Sequence, residues 1–273
     1  MQRGFLNTGE AQIYYEISGA GPALVFAHGL GGNHLSWWQQ VPHFSARFTC
    51  VVFAHRGFSP SRLHGAVPDP AAFAGDLAAL IEHLRLDDVR LVAQSMGGWT
   101  CLEYALREPA RVKALVLSCT TGAADPAALR TADHAALARW SENSEREIAR
   151  LRAAGIHPAA GERMAREQSA LHHLYRQIDG LNADLDKDAL RRKLREARSV
   201  GPERLAGLPM PVLCITGAED VVIPAAAVRA LAATLPAGAF AQHPEAGHSV
   251  YFERAGWFNE RVNGFLQAGE SKR

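Results

Sequence analysis

Ala93-Gln94-Ser95-Met96-Gly97-Gly98 closes the apolar run 89–93 (VRLVA) and opens a stretch with helical patterning, 96–107. Small residues two places before and two places after Ser95 let the backbone reverse sharply enough to lift the hydroxyl clear of the strand end. The general pattern for such a turn is Gly-x-Ser-x-Gly; here Ala93 fills the first position and adds a single methyl group. The helix that follows places a partial positive charge beside the hydroxyl, which favours negative charge forming there.

Outward from this turn, the chain alternates short apolar runs with helical patterns. Residues 12–17 read as an edge strand, and 19–22 as a turn. ALVFA at 23–27 and TCVVFA at 49–54 are continuous apolar runs of strand length, as expected of strands covered on both faces. Residues 70–86 carry Phe73, Leu77, Leu80, Ile81 and Leu84 at helical spacing behind Asp69-Pro70, a cap and first turn. Another strand, VKALVLS, follows at 112–118. Repeated β-α-β of this kind requires a mostly parallel sheet with helices on both faces, an α/β fold. The rhythm stops at 122–204, where Ala, Arg, Glu and Leu dominate and no strand pattern occurs. It resumes with a strand at 211–216, a helix at 225–235, a short strand at 239–243 and a helix at 255–266. The expected organisation is a core of residues 1–121 and 205–273 with an inserted helical cap, 122–204.

Bulk properties agree with one large domain. The 273 residues are 48% apolar, enough for a full core, and the net charge of +1 gives no reason to expect a nucleic-acid partner. No stretch approaches the ~20 unbroken apolar residues that cross a bilayer, and residues 1–12 lack the apolar segment of a signal peptide. Cys50, Cys101, Cys119 and Cys214 lie in or beside apolar segments without paired spacing. They read as free buried thiols suited to a reducing cytoplasm.

Ser95 needs a base within hydrogen-bond reach before it can act as a nucleophile. In chains with this kind of elbow, an acid and then a histidine follow the serine. The strand at 211–216 ends in Gly217-Ala218-Glu219-Asp220, at the same sheet edge as Ser95, and only His243 and His248 come after it. His243 falls at a strand end and reads as structural. His248, in the loop Glu245-Ala246-Gly247-His248-Ser249, is the expected base. Asp220 is preferred to Glu219 as the acid because it leads into the apolar Val221-Val222-Ile223, where a carboxylate is held inward. Its role would be to fix the histidine tautomer. His28-Gly29-Leu30-Gly31-Gly32, directly after strand 23–27, leaves backbone N–H groups free to meet an oxyanion, and the amides of Leu30 and Met96 are the expected donors. His34 stands where a dinucleotide fingerprint needs its third glycine, and no Gly-Lys-Ser/Thr follows, so no nucleotide cofactor is expected.

These four motifs together resemble the α/β-hydrolase fold family, with 122–204 in the position of that family's cap. Closer in, the chain is similar to the 3-oxoadipate enol-lactonase and small carboxylesterase branch. The resemblance implies a serine hydrolase that cleaves an ester or lactone of a small, largely apolar molecule through an acyl-enzyme on Ser95, without cofactor or membrane partner. Two other activities go with the resemblance. Some relatives hydrolyse carbon–carbon bonds, but these commonly carry tryptophan directly after the catalytic histidine, where this chain has Ser249. A small-molecule receptor that retains the triad is the non-enzymatic alternative.

Residues 54–61, Ala-His-Arg-Gly-Phe-Ser-Pro-Ser, are similar to the family's Asp-x-Arg-Gly-x-Gly-x-Ser loop but lack its carboxylate at Ala54; Arg56 reads as a loop anchor. No metal site is expected. His172-His173 are neighbours whose side chains diverge by about 100° on a helix, and no Cys-x-x-Cys or His-Glu-x-x-His spacing occurs. Trp37, Trp38, Phe58, Trp99, Trp140, Tyr175 and Tyr251 are the aromatic candidates for a substrate pocket. The insert's Arg146, Arg150, Arg152, Arg163 and Arg166, mixed with glutamates, read as a solvated surface.

Overall fold

The computed structural model describes residues 1–65, 67–129 and 132–270. The chain begins with an antiparallel pair, β1 (Gln2–Asn7) and β2 (Ala11–Ser18), and continues into β3 (Ala23–Ala27), α1 (Gln40–Phe44), β4 (Thr49–Phe53) and the two-residue β5 (Arg62–Leu63). Next come α2 (Phe73–His83), β6 (Val89–Gln94), α3 (Gly97–Arg107) and β7 (Val112–Ser118). Five helices then follow without a strand: α4 (His134–Ala153), α5 (Gly161–Glu167), α6 (Ser169–Gly180), α7 (Lys187–Glu196) and α8 (Pro202–Leu205). The chain ends with β8 (Val212–Gly217), α9 (Ala225–Thr234), β9 (Gly238–His243), α10 (Val250–Glu253) and α11 (Ala255–Glu270).

Among the described residues the strands form one sheet in the order β1-β2-β4-β3-β6-β7-β8-β9, with β5 beside β2. Every neighbouring pair from β4 to β9 is parallel. Side chains of alternate strand residues go to opposite faces. Val25, Leu91, Leu115 and Cys214 pack on one side with α2, α3 and α9, while Phe26, Val92, Val116 and Ile215 pack on the other with α1, α10 and α11. This explains why the central strands read as unbroken apolar runs.

One expectation is corrected. The segment 12–17 is not the sheet edge, because β1 pairs along its outer side from Gln2↔Ile17 to Asn7↔Gln12. As the true edge strand, β1 leaves one face in water and carries few apolar residues. Phe5 is 50% exposed, so the two-residue period is too weak to show.

Strand order reverses at β3. The chain steps from β3 outward to β4, then crosses back to β6 on the opposite side of β3. In a parallel sheet such a reversal leaves a crevice at the carboxyl ends of the two strands involved. The loop after Ala27 and the turn after Gln94 meet there. No helix among the described residues is long and apolar enough to cross a membrane.

Candidate active site

Ser95 sits at the end of β6 with φ +49, in the left-handed region that non-glycine residues rarely occupy. Its N–H still bonds the Ser118 carbonyl at 2.9 Å, extending the β6–β7 ladder, and its carbonyl accepts the Gly98 N–H at 2.8 Å to begin α3. Gly97 is required for this tight passage, because a Cβ there would run into the backbone carbonyl of Ala27.

Above this turn, His248 Nε2 lies 2.8 Å from Ser95 Oγ, and His248 Nδ1 lies 2.8 Å from Asp220 Oδ2. The other Asp220 oxygen, Oδ1, accepts the N–H groups of Val222 at 2.7 Å and Ile223 at 2.9 Å. His248 and Asp220 are buried, and the Gln94 side-chain amide donates to the His248 carbonyl at 3.3 Å. Glu219 faces outward and pairs with Arg163 at 2.6 Å. His243 is half-buried against Trp257, with its Nδ1 accepting the Glu245 N–H, far from this chemistry in role. Beneath the histidine–aspartate pair, Cys119 Sγ lies within 4.8 Å of both; burial, and then Asp220, push its thiol pKa well up, so it stays a neutral thiol.

Two backbone amides beside the Ser95 cavity have no partner. Among the described residues, neither the Leu30 nor the Met96 N–H makes a hydrogen bond within the chain, and both residues line the same cavity as Ser95. The loop that carries Leu30 is held from behind by His28. Its Nδ1 donates to the Gly29 carbonyl at 2.8 Å, and its Nε2 accepts the His55 N–H at 3.0 Å. Burial lowers the His28 pKa to about 3, so the ring is a neutral strut.

The cavity over Ser95 has a volume of about 460 Å³ and reaches from Leu30 and Met96 to the helices between β7 and β8. The aromatic candidates divide sharply. Tyr175 and Trp99 line the cavity. Trp37, Phe58 and Tyr251 do not; they are fully buried in the core, Trp37 against Phe26 and Tyr251, Phe58 against His28. Trp38 is 43% exposed on the outer surface beside Phe252. Trp140 is outside the cavity too, and its indole N–H donates to the Asp220 carbonyl at 3.2 Å, tying α4 to the acid loop. Bulk and apolarity suit core packing as well as a pocket wall, so residue type alone does not separate the two.

The wall contains residues that sequence reasoning passed over. Arg152, placed there on a solvated surface, lines the cavity, as do His157, Arg176, Arg191, Arg195 and Arg198. Burial lowers the His157 pKa to about 4. The spacing of Arg191 and Arg195 was a visible signal, since i and i+4 share one face of α7, whereas Arg198 lies just past the end of that helix. Arg56 is an anchor, and its missing carboxylate partner comes from α2: Asp76 takes its Nε and Nη2 at 2.7 Å each, with both side chains buried.

Residues 22–255 match the family model described as alpha/beta hydrolase fold. The chain is 30% identical to the "Putative non-heme bromoperoxidase BpoC" of Mycobacterium tuberculosis, over 89% of this chain and 92% of that protein. It is 27% identical to the "Putative carbamate hydrolase RutD" of Caulobacter sp. (strain K31), over 95% and 97% of the two chains. A solved thermophilic esterase from Thermogutta terrifontis superposes with a TM-score of 0.75 at 25% identity, covering 98% of this chain and 99% of that one.

Proposed function

The chain belongs to the α/β-hydrolase fold family, and from that premise we propose that it is a serine hydrolase cleaving a carboxylic ester or lactone through an acyl-enzyme on Ser95. The observation that carries this reading is the continuous relay Ser95–His248–Asp220, with two hydrogen bonds of 2.8 Å. The likeness to a solved esterase supports the ester bond as the target.

In this mechanism Ser95 Oγ attacks the substrate carbonyl while His248 Nε2 takes its proton. The new Oγ–C bond leaves a tetrahedral oxyanion, which the free amides of Leu30 and Met96 receive. Collapse breaks the C–O bond, and His248 hands its proton to the departing alkoxide; in a lactone this group stays attached as the ring opens. Water then attacks the acyl-enzyme, giving a proton to His248, and the acid departs as Ser95 recovers its hydrogen. Asp220 holds Nδ1–H throughout and stabilises the imidazolium.

Steady-state assays on p-nitrophenyl esters test this directly. Ser95→Ala is expected to lose about four decades of kcat, with the remainder supplied by binding and the oxyanion donors. Turnover retained at the wild-type level would end the proposal.

A further inference from the structure

The cavity over Ser95 is rich in cationic side chains. Five arginines line it, and among the described residues no aspartate or glutamate does. Arg191 is paired with Asp188. Arg152, Arg176, Arg195 and Arg198 form no ion pair with any described residue, and the formal charge of the whole chain is only +1. This concentration of like charge is therefore local to the cavity.

Arg198 is the most constrained of the group. Its guanidinium lies 5.5 Å from the centre of the Trp99 ring, and Trp99 is itself fixed by an indole N–H bond to the Leu194 carbonyl at 3.0 Å. Arg198 Nε is buried and has no hydrogen-bond partner. A buried donor of this kind is normally paired, and an unpaired one is costly. A guanidinium remains charged even where desolvation opposes it, as burial does for Arg198. Leu30, Met96, Val222 and Ile223 give the Ser95 end of the same cavity an apolar lining.

We propose that the substrate bears a carboxylate in addition to its ester or lactone bond, and that Arg198, supported by Arg195, selects it by binding that carboxylate while the carbonyl rests at Ser95. A planar guanidinium held beside a fixed indole matches a planar carboxylate better than a mobile surface cation would. The proposal rests on the serine-hydrolase reading and narrows it, replacing the largely apolar substrate expected from sequence with one that is apolar at one end and anionic at the other.

The test compares p-nitrophenyl monoesters of glutaric and adipic acid, each with a free carboxylate, against the same esters capped with methyl at the far end. The free acids are expected to show at least about tenfold higher kcat/KM, and Arg198→Ala to reduce that ratio about 10- to 100-fold, mainly through KM. Arg198→Lys is expected to restore part of it, and Arg195→Ala gives an independent test should Arg198→Ala fold poorly. Capped esters hydrolysed as fast as free ones, or a ratio untouched by both variants, would overturn the proposal while leaving Ser95 chemistry standing. A measurement without turnover separates the two readings from the other side. Titration calorimetry of glutarate and adipate with Ser95→Ala protein is expected to show binding that weakens at least about tenfold when Arg198→Ala is added. Equal affinity, or no binding to either protein, would count against the arginine site whatever the reaction proves to be.

Discussion

Asp220 divides its two oxygens between two tasks, one holding the His248 ring and the other accepting two backbone N–H groups of its own loop. Asparagine at this position keeps an oxygen for the loop amides but turns an NH₂ toward Nδ1, which forces the wrong tautomer. Asp220→Asn is expected to fold normally, as judged by circular dichroism, and to lose about four decades of kcat. A variant within tenfold of wild type would show that the carboxylate is not needed. Glu253 binds the neighbouring loop, the one that carries His248. Its Oε1 accepts the Gly247 N–H at 2.6 Å, Oε2 has no partner, and burial raises its pKa from 4.5 to about 7. Between those two values the folded protein keeps a proton that the unfolded chain has released. Its contribution to stability therefore falls as pH rises through this window, by up to about 3 kcal/mol, and is level above it. Glu253→Gln retains the acceptor for Gly247 and removes the charge. Urea midpoints across the window should fall for the wild type relative to the variant; parallel curves would contradict this account.

The junction of β6 with α3 is constrained at two places: Ser95 holds a left-handed conformation, and Gly97 leaves no room for a Cβ against the carbonyl of Ala27 in β3. Gly97→Ala is expected to push α3 away from β3, costing about 1–3 kcal/mol, and to reduce kcat because the Met96 amide moves with the helix. Thermal melts and esterase rates on the same sample check both effects, and an alanine accommodated without loss in either would disprove the close-contact argument. Elements of this kind were legible in the sequence where local pattern and tertiary demand coincide. Strands buried on both faces read as apolar runs, and the elbow's small residues announced a sharp turn. Elsewhere the information is spread across the fold. β1 was missed because an edge strand has only one face to bury. Asp76 could not be identified as the partner of Arg56 from 20 residues away. The aromatic residues give no indication of which side of the sheet they fill, so Trp37, Phe58 and Tyr251 stand among the pocket candidates although they belong to the core. Arg195, near the end of α7, and Arg198, just past it, are functional candidates because both line the cavity over Ser95.

For the molecule as a whole, Cys50, Cys101, Cys119 and Cys214 sample separate parts of the interior, and all four are buried. Burial raises the pKa of Cys50 and of Cys214 to about 12, so neither thiolate nor solvent access is available in the folded state. Native protein treated with iodoacetamide is expected to remain unmodified by intact mass, and denatured protein to gain four adducts. Partial labelling of the native form would reveal that part of the core opens independently. The hydrogen bond between residues 95 and 248 spans 153 positions of chain. Its two ends arrive on opposite sides of the long helical segment, one from a strand deep in the sheet and the other from the loop after its last strand. Recovery of activity during refolding therefore cannot precede the docking of that final strand, since every earlier intermediate has a serine without its base. Catalytic rate followed in time becomes a clock for the last pairing of the sheet.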